Sequence, residues 1–527
     1  MPFRSMAVSL RERLQFMATA VTLRSRRNAA QMHALAGVQR EIKHNDRRSR
    51  GKYLQDFARA FRSYEAVAER RELLQTVNAA ELVLIGDYHS LPASQRFASG
   101  LLEERAHVGD RPVVLCLEAI FARDQHILDA WWRREIDAEE LRRRIRFDAE
   151  WGYDWAPFYE LLITAREHAY ALYALDCMPR GGVRQAPLHD RHAAEKLAEI
   201  CEKHPQAAVF VLFGESHLAP GHLPRLLREK LPRKKLLSVL QNLDEIYWQA
   251  AGDSRQSTEA VRVSDDVWCA FNATPLEKYE SYRQCLERWG EGDPDSSDLS
   301  PAIYNLLNTL VRFLGFNQYS PSNGTQPKFL VDLAPEIYCD PSDDHLREAA
   351  GGDRQLKALL AQLEEHGCSY IPSRNTLYIR EFRMATAARE VARFLRHACM
   401  KVPAMGESLA CETREVAPGI ALENCLAYFG SQILCPTPSE ATESSDVGPL
   451  ERLLLRSELV EGGAPDDAAL RQLGYEMGRE LYDAYLGGRV SKSFLRSAFM
   501  SDPASARETC KSIFRKTRPA KARRSRQ

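Results

Sequence analysis

Residues 81–90 read ELVLIGDYHS, and residues 207–217 read AAVFVLFGESH. Each is an apolar run closed by glycine, two further residues and a histidine: Gly86 to His89 in the first, Gly214 to His217 in the second. Neither run alternates between apolar and polar, so each predicts a strand covered on both faces, as in a parallel sheet. Three more runs have this texture: PVVLCLEA (112–119), AYALYALD (169–176) and KKLLSVLQN (234–242). Stretches with helical spacing separate them, among them SQRFASGLLEERA and RHAAEKLAEICEKH. Strand, helix, strand, repeated, predicts an α/β fold: an open, mostly parallel sheet with helices on both faces. The long insert at 120–168 predicts a helical cap.

The rest of the chain predicts mainly helical regions at either side. Residues 1–78 show apolar residues at three- and four-residue spacing, and the α/β domain is expected over 79–250, closed by the polar stretch 251–261. A mainly helical domain follows at 262–435, with a hairpin in YIPSRNTLYIREF (370–382). Residues 436–448, rich in Pro, Ser and Thr, read as a linker, 449–514 as a helical segment and 515–527 as a disordered basic tail.

Composition excludes several classes. Lysine plus arginine (72) balances aspartate plus glutamate (72) in the 527 residues, so no overall field favours nucleic acid. The positive charge is local: seven arginines and one acid, Glu12, precede residue 41. Twelve cysteines without a C-x-x-C pair, set in apolar runs, fit reduced thiols in a cytoplasmic protein. No apolar run reaches the ~18 residues of a membrane span, and the N-terminus shows no lipoprotein signal.

Ligands of open parallel sheets sit beyond the carboxyl ends of the strands. The five runs end in Asp87 and His89, Glu118, Asp176, Glu215 and His217, and Gln241 with Asn242. Glycine before each histidine permits positive φ and close approach of the backbone. A lone Gly-x-x-His is ordinarily a solvated or core-bonded histidine; two, each beside carboxylates, predict one shared site. His89, His217 and Glu118 match a zinc-type ligand set with an open position for water, whose pKa such a site lowers to ~7. Glu118 or Glu215 is then the candidate general base. The same imidazoles suit haem iron, for which the aromatic stretch WGYDWAPFY (151–159) would offer a flat wall, with Tyr153 or Tyr159 as contacts. HDRHAAEKL (189–197) and His222 read as helix starts.

The segments VLIGDYHSLPASQ, LCLEAI, RIRFDAEWGYDWAPFYELLITAR and VLFGESHLAPGHLP, in this order over residues 80–245, resemble the ChaN family of the Tiki/erythromycin-esterase superfamily. The resemblance implies an α/β domain with an inserted helical subdomain. From the ChaN branch it implies haem held between two subunits, hence a homodimer. From the Tiki branch it implies a divalent-metal protease site at His89, His217 and Glu118, and from the esterase branch a hydrolase. The expected ligand is therefore haem or a divalent ion (Fe, Zn or Mn). Three functions follow: a haem- or iron-binding protein, a metal-dependent hydrolase, or a non-catalytic scaffold whose helical arms bind a partner.

Overall fold

A computed structural model describes residues 26, 28–44, 52–108, 111–177, 185–253, 258–291, 298–316, 334–350, 352–400, 413–436 and 467–517. The linker expected at 436–448, apart from its first residue, lies outside these residues. So do 449–466, the tail from 518 onward and the arginine-rich stretch before residue 26. The chain divides into two compact units, Val38–Ser296 and Met1–Gly37 with Ser297–Gln527. Among the described residues no helix is long and apolar enough to cross a membrane.

The unit Val38–Ser296 is built on an eight-stranded sheet. Its strands are β1 (Ala66–Ala68), β2 (Leu82–Asp87), β3 (Val113–Phe121), β4 (Ala171–Asp176), β5 (Ala208–Gly214), β6 (Leu236–Gln241), β7 (Ala260–Ser264) and β8 (Val267–Ala270). The order is β1-β7-β8-β6-β2-β5-β3-β4, and the six strands from β8 to β4 run parallel. Every residue of β2, β3 and β5 is buried. The reason lies in the pleat, which sends successive side chains to opposite faces. Val83, Ile85, Leu115, Leu117, Phe210 and Leu212 join one core. Leu82, Leu84, Val114, Cys116, Val209 and Val211 join the other. Each such side chain contributes about 1.5–3 kcal/mol by leaving water, so both parities of the strand must be apolar.

The sheet does not close at 251–261. It continues through β7 and β8, and β1 from the N-terminal region pairs with β7. These strands are three to five residues long, and β1 and β7 have half-exposed positions, so no apolar run announced them. The insert between β3 and β4 holds helices Gln125–Trp132, Ala138–Arg144, Phe147–Glu150 and Trp155–His168. Its Trp131, Phe147, Trp151 and Phe158 belong to the same core as one sheet face, so it is part of the domain's packing as well as a cover.

Among the described residues of the other unit, eight α-helices between Ser300 and Thr517 accompany a three-stranded sheet. Strands β10 (Cys368–Ile371) and β11 (Thr376–Ile379) form the expected hairpin, and β9 (Glu336–Cys339) adds to β11 in parallel. Helices Thr413–Leu434 and Asp467–Leu486 approach closely at Gly474 and Gly478. A Cβ on Gly474 would lie 2.6 Å from the Ala421 carbonyl oxygen, and one on Gly478 would lie 2.6 Å from the Cys425 carbonyl oxygen. Neither backbone atom can retreat without moving a helix. Gly474→Ala should therefore destabilise this unit by about 1–3 kcal/mol, read as a lowered melting temperature. An unchanged melt would contradict the close packing.

Candidate functional site

The two histidines predicted to meet do face one another across one carboxylate. His89 follows β2 directly, and its Nδ1 lies 2.8 Å from Asp87 Oδ2. Asp87 is itself fixed by Gln95, whose Nε2 donates to Oδ1 at 2.5 Å. His217 sits on the short 3₁₀ turn Glu215–Leu218 after β5, with Nδ1 2.6 Å from Asp190 Oδ1. The Tyr53 hydroxyl donates to Asp190 Oδ2 at 2.8 Å and lies 2.9 Å from the same Nδ1. Ionised carboxylates only accept, so each aspartate selects the tautomer with the proton on Nδ1 and leaves the Nε2 lone pair facing inward. Both lone pairs face Glu118: His89 Nε2 is 3.9 Å from Oε2, and His217 Nε2 is 3.9 Å from Oε1.

Glu118 owes its position to an irregularity in β3. The β3–β5 ladder ends at Leu117, and the β3–β4 register shifts between Leu117 and Phe121. A bulge of this kind re-aims a side chain at the end of a ladder. Glu118 is 8% exposed, and its Oε2 accepts the Gly214 backbone N–H at 2.5 Å.

Gly214 fills the gap between these groups. A Cβ there would stand 3.2 Å from Glu118 Oε2 and from His89 Cε1 and Nε2. Its φ of −49° is one any residue adopts, so the glycine answers to space and not to a left-handed bend. Gly86 is similar, with its virtual Cβ 3.3 Å from Glu215 Cβ. The expectation of positive φ at these two positions is corrected accordingly.

Other strand-end residues are engaged elsewhere. Glu215 is ion-paired with Lys278 from helix Pro275–Glu291, at 2.9 and 3.2 Å, and lines the same cavity as His89. Burial pushes its carboxyl upward, with Lys278 opposing. Asp176 Oδ1 lies 2.7 Å from His189 Nδ1. Gln241 Nε2 donates to the Gly86 carbonyl at 2.8 Å, and Asn242 Oδ1 accepts from the backbones of Asn272 and Ala273, at 2.9 and 3.0 Å. Both amides brace strand ends. Of the aromatic stretch, Trp151 and Tyr153 have ring centroids 4.5 and 5.2 Å from that of His89. Tyr159 stacks instead on Trp155 (5.5 Å) and meets Trp131 edge-on (6.2 Å), so it is a core residue and not a site contact.

Sequence reasoning missed Tyr53, Asp190 and Lys278. Tyr53 is clamped by a stacked His222 ring at 3.8 Å, and burial together with the charges of Asp190 and Glu118 pushes its hydroxyl far up, keeping it a neutral donor. His222 does start helix Leu223–Lys230, as expected, and also serves this stack. A cavity of about 510 Å³ opens beside His89, with Phe57, Phe61, Leu243 and Tyr153 among its walls and Lys278 with Glu215 at one side.

Next to Lys278, burial raises the Glu277 carboxyl to about 7, against a backbone hydrogen bond from Thr274 and the charge of Arg96. A folded-state value above the ordinary 4.5 means that the folded chain holds this proton more tightly than the unfolded chain. Its contribution is thus complete below about 4.5 and is lost as the pH rises through about 7. Chemical denaturation from pH 4.5 to 8 should show stability falling through this window, with the fall smaller in Glu277→Gln. Identical slopes in both proteins would contradict this.

The arrangement supplies two inward imidazole lone pairs, one carboxylate between them and an aspartate behind each ring, all within Val38–Ser296. Residues 73–187 match the family described as haem-binding uptake, Tiki superfamily, ChaN. The likeness is confined to this segment. The segment carries His89, Glu118 and Tyr153, while Asp190 and His217 lie beyond it. A solved structure describing cofacial heme binding to ChaN of Campylobacter jejuni is similar over 38% of this chain and 91% of that chain, with 14% identity and a TM-score of 0.26. No curated protein matches the chain.

Proposed function

We propose that His89, His217 and Glu118 hold a divalent cation, and that this ion serves hydrolysis of a substrate bound in the cavity beside His89. One observation carries the reading: two imidazole Nε2 atoms each lie 3.9 Å from a different oxygen of one buried carboxylate. Atoms that share an ion through bonds of about 2.0–2.2 Å lie roughly 3–4 Å apart, a spacing that each Nε2 has to its own oxygen of Glu118, and binding one ion would draw the two rings closer to a common point. The backing aspartates match the outer partners that orient metal-binding histidines. When bound, the ion would act as a Lewis acid and acidify a water molecule. The chain's own residues do the rest. Asp87 and Asp190 hold the Nδ1 protons, and Gly214 N–H holds Glu118 Oε2. Oε1 of the same carboxylate faces His217 Nε2.

Haem, which the family description brings forward, does not fit between the imidazoles, because the Glu118 carboxylate and the Gly214 backbone fill that gap. The cavity is the better seat for it. Its apolar walls suit a porphyrin face, and His89 or Tyr153 is the candidate axial ligand. In this second reading a homodimer would enclose the exposed porphyrin face.

The test is titration of metal-free protein with Mn²⁺, an ion that thiolates bind poorly. One Mn²⁺ per chain is expected, with affinity at least 100-fold weaker in His89→Ala and in His217→Ala. Equal binding by both variants would remove the proposed centre. A haem titration on the same proteins separates the second reading: a Soret shift lost in His89→Ala but kept in His217→Ala supports it.

A further inference from the structure

We propose that Asp176, Cys177 and His189 form a second metal site, suited to zinc-type ions and independent of the centre around Glu118. Asp176 ends β4 and Cys177 follows it, while His189 comes from the first turns of helix Ala186–Lys203. One carboxylate oxygen, one sulfur and one imidazole nitrogen lie within 4.8 Å of one another. Asp176 and His189 are 3% and 7% exposed, and Cys177 is half-buried, which gives solvent and ions a way in.

The donors are partly organised. Asp176 Oδ1 accepts from the Cys177 backbone N–H at 2.8 Å and lies 2.7 Å from His189 Nδ1. Around a tetrahedral ion neighbouring ligand atoms stand roughly 3.3–3.8 Å apart, so the Asp176–His189 contact needs to open by roughly 0.6 Å or more. The sulfur needs to draw inward by about 1 Å at most on the same comparison. The donor set decides the class of ion. Thiolate with imidazole and carboxylate favours zinc over magnesium, calcium or manganese. Three protein ligands also leave a fourth position for water or an exogenous ligand. Burial and the Asp176 charge push the Cys177 thiol upward, so the thiol keeps its proton without an ion and releases one proton when a cation binds.

The experiment is Co²⁺ titration of the metal-free full chain, followed by near-ultraviolet absorption. Only a thiolate ligand gives the sulfur-to-cobalt charge-transfer band, and the His89/His217/Glu118 set contains none. The band should saturate at one ion per chain in wild type and persist in the His89→Ala/His217→Ala protein. It should vanish in Cys177→Ser and weaken at least tenfold in apparent affinity in His189→Ala. No band in wild type, or an undiminished band in Cys177→Ser, overturns the proposal. Should Cys177→Ser fail to fold, alkylation of wild-type protein mapped by peptide mass decides: Zn²⁺ should slow modification of Cys177 at least tenfold, and an unchanged rate overturns the site.

Discussion

Gly214→Ala should lower Mn²⁺ affinity at least 100-fold while the protein still folds. The added methyl would stand 3.2 Å from Glu118 Oε2 and from two atoms of the His89 ring, so one of these groups has to yield. Neither moves cheaply. Glu118 is buried and accepts the N–H of Gly214 itself, and His89 is tied to Asp87. Crowding of this kind costs about 1–3 kcal/mol of stability. The larger consequence falls on the site, because the displaced group is a proposed ligand. Gly221→Ala is the matched control, since nothing lies within 4 Å of its virtual Cβ. Calorimetric titration of both variants checks the result. Binding by Gly214→Ala within threefold of wild type would show that the gap between His89 and Glu118 does not matter.

Asp190→Asn should weaken the same binding by about 10–100-fold, the range seen when partners behind metal-binding histidines are removed. Asp190 accepts at both oxygens, from His217 Nδ1 and from the Tyr53 hydroxyl. An amide has one acceptor oxygen and one donor nitrogen. If its NH₂ meets His217 Nδ1, the ring proton shifts to Nε2 and faces Glu118, which blocks a cation. If its oxygen meets His217, the Tyr53 hydroxyl loses its acceptor in a buried place, at about 1–3 kcal/mol. Nitrogen-15 NMR of the histidine side chains reports the tautomer of His217 directly. Wild-type affinity with the proton still on Nδ1 would remove Asp190 from the account.

Much of this unit could be read from sequence because its strands are buried on both faces. Leu82, Leu84, Val83 and Ile85 serve two different cores, and that forces the unbroken apolar run that marks β2. The edge strand β1 and its neighbour β7 carry no such constraint, and their three and five residues did not rise above the helical and polar texture around them. His89, His217 and Glu118 were legible for a related reason: a polar group directly after a buried strand has to find a partner, and the parallel sheet sends all three to one rim. Asp190 and Tyr53 were not. They come from helices 137 residues apart in sequence, and only the tertiary fold sets them behind His217. Tyr159 misled because aromatic density marks cores and ligand walls alike. Lys278 was not legible because it lies 63 residues beyond its partner Glu215, past the point where the domain was expected to end.

The central claim is that two strand-end imidazoles and Glu118 share one cation. An anomalous difference map from crystals soaked in Mn²⁺ tests it most directly. The account predicts a peak bonded to Nε2 of His89, to Nε2 of His217 and to the Glu118 carboxylate. A map with Mn²⁺ bound elsewhere and no peak among these three groups would contradict it.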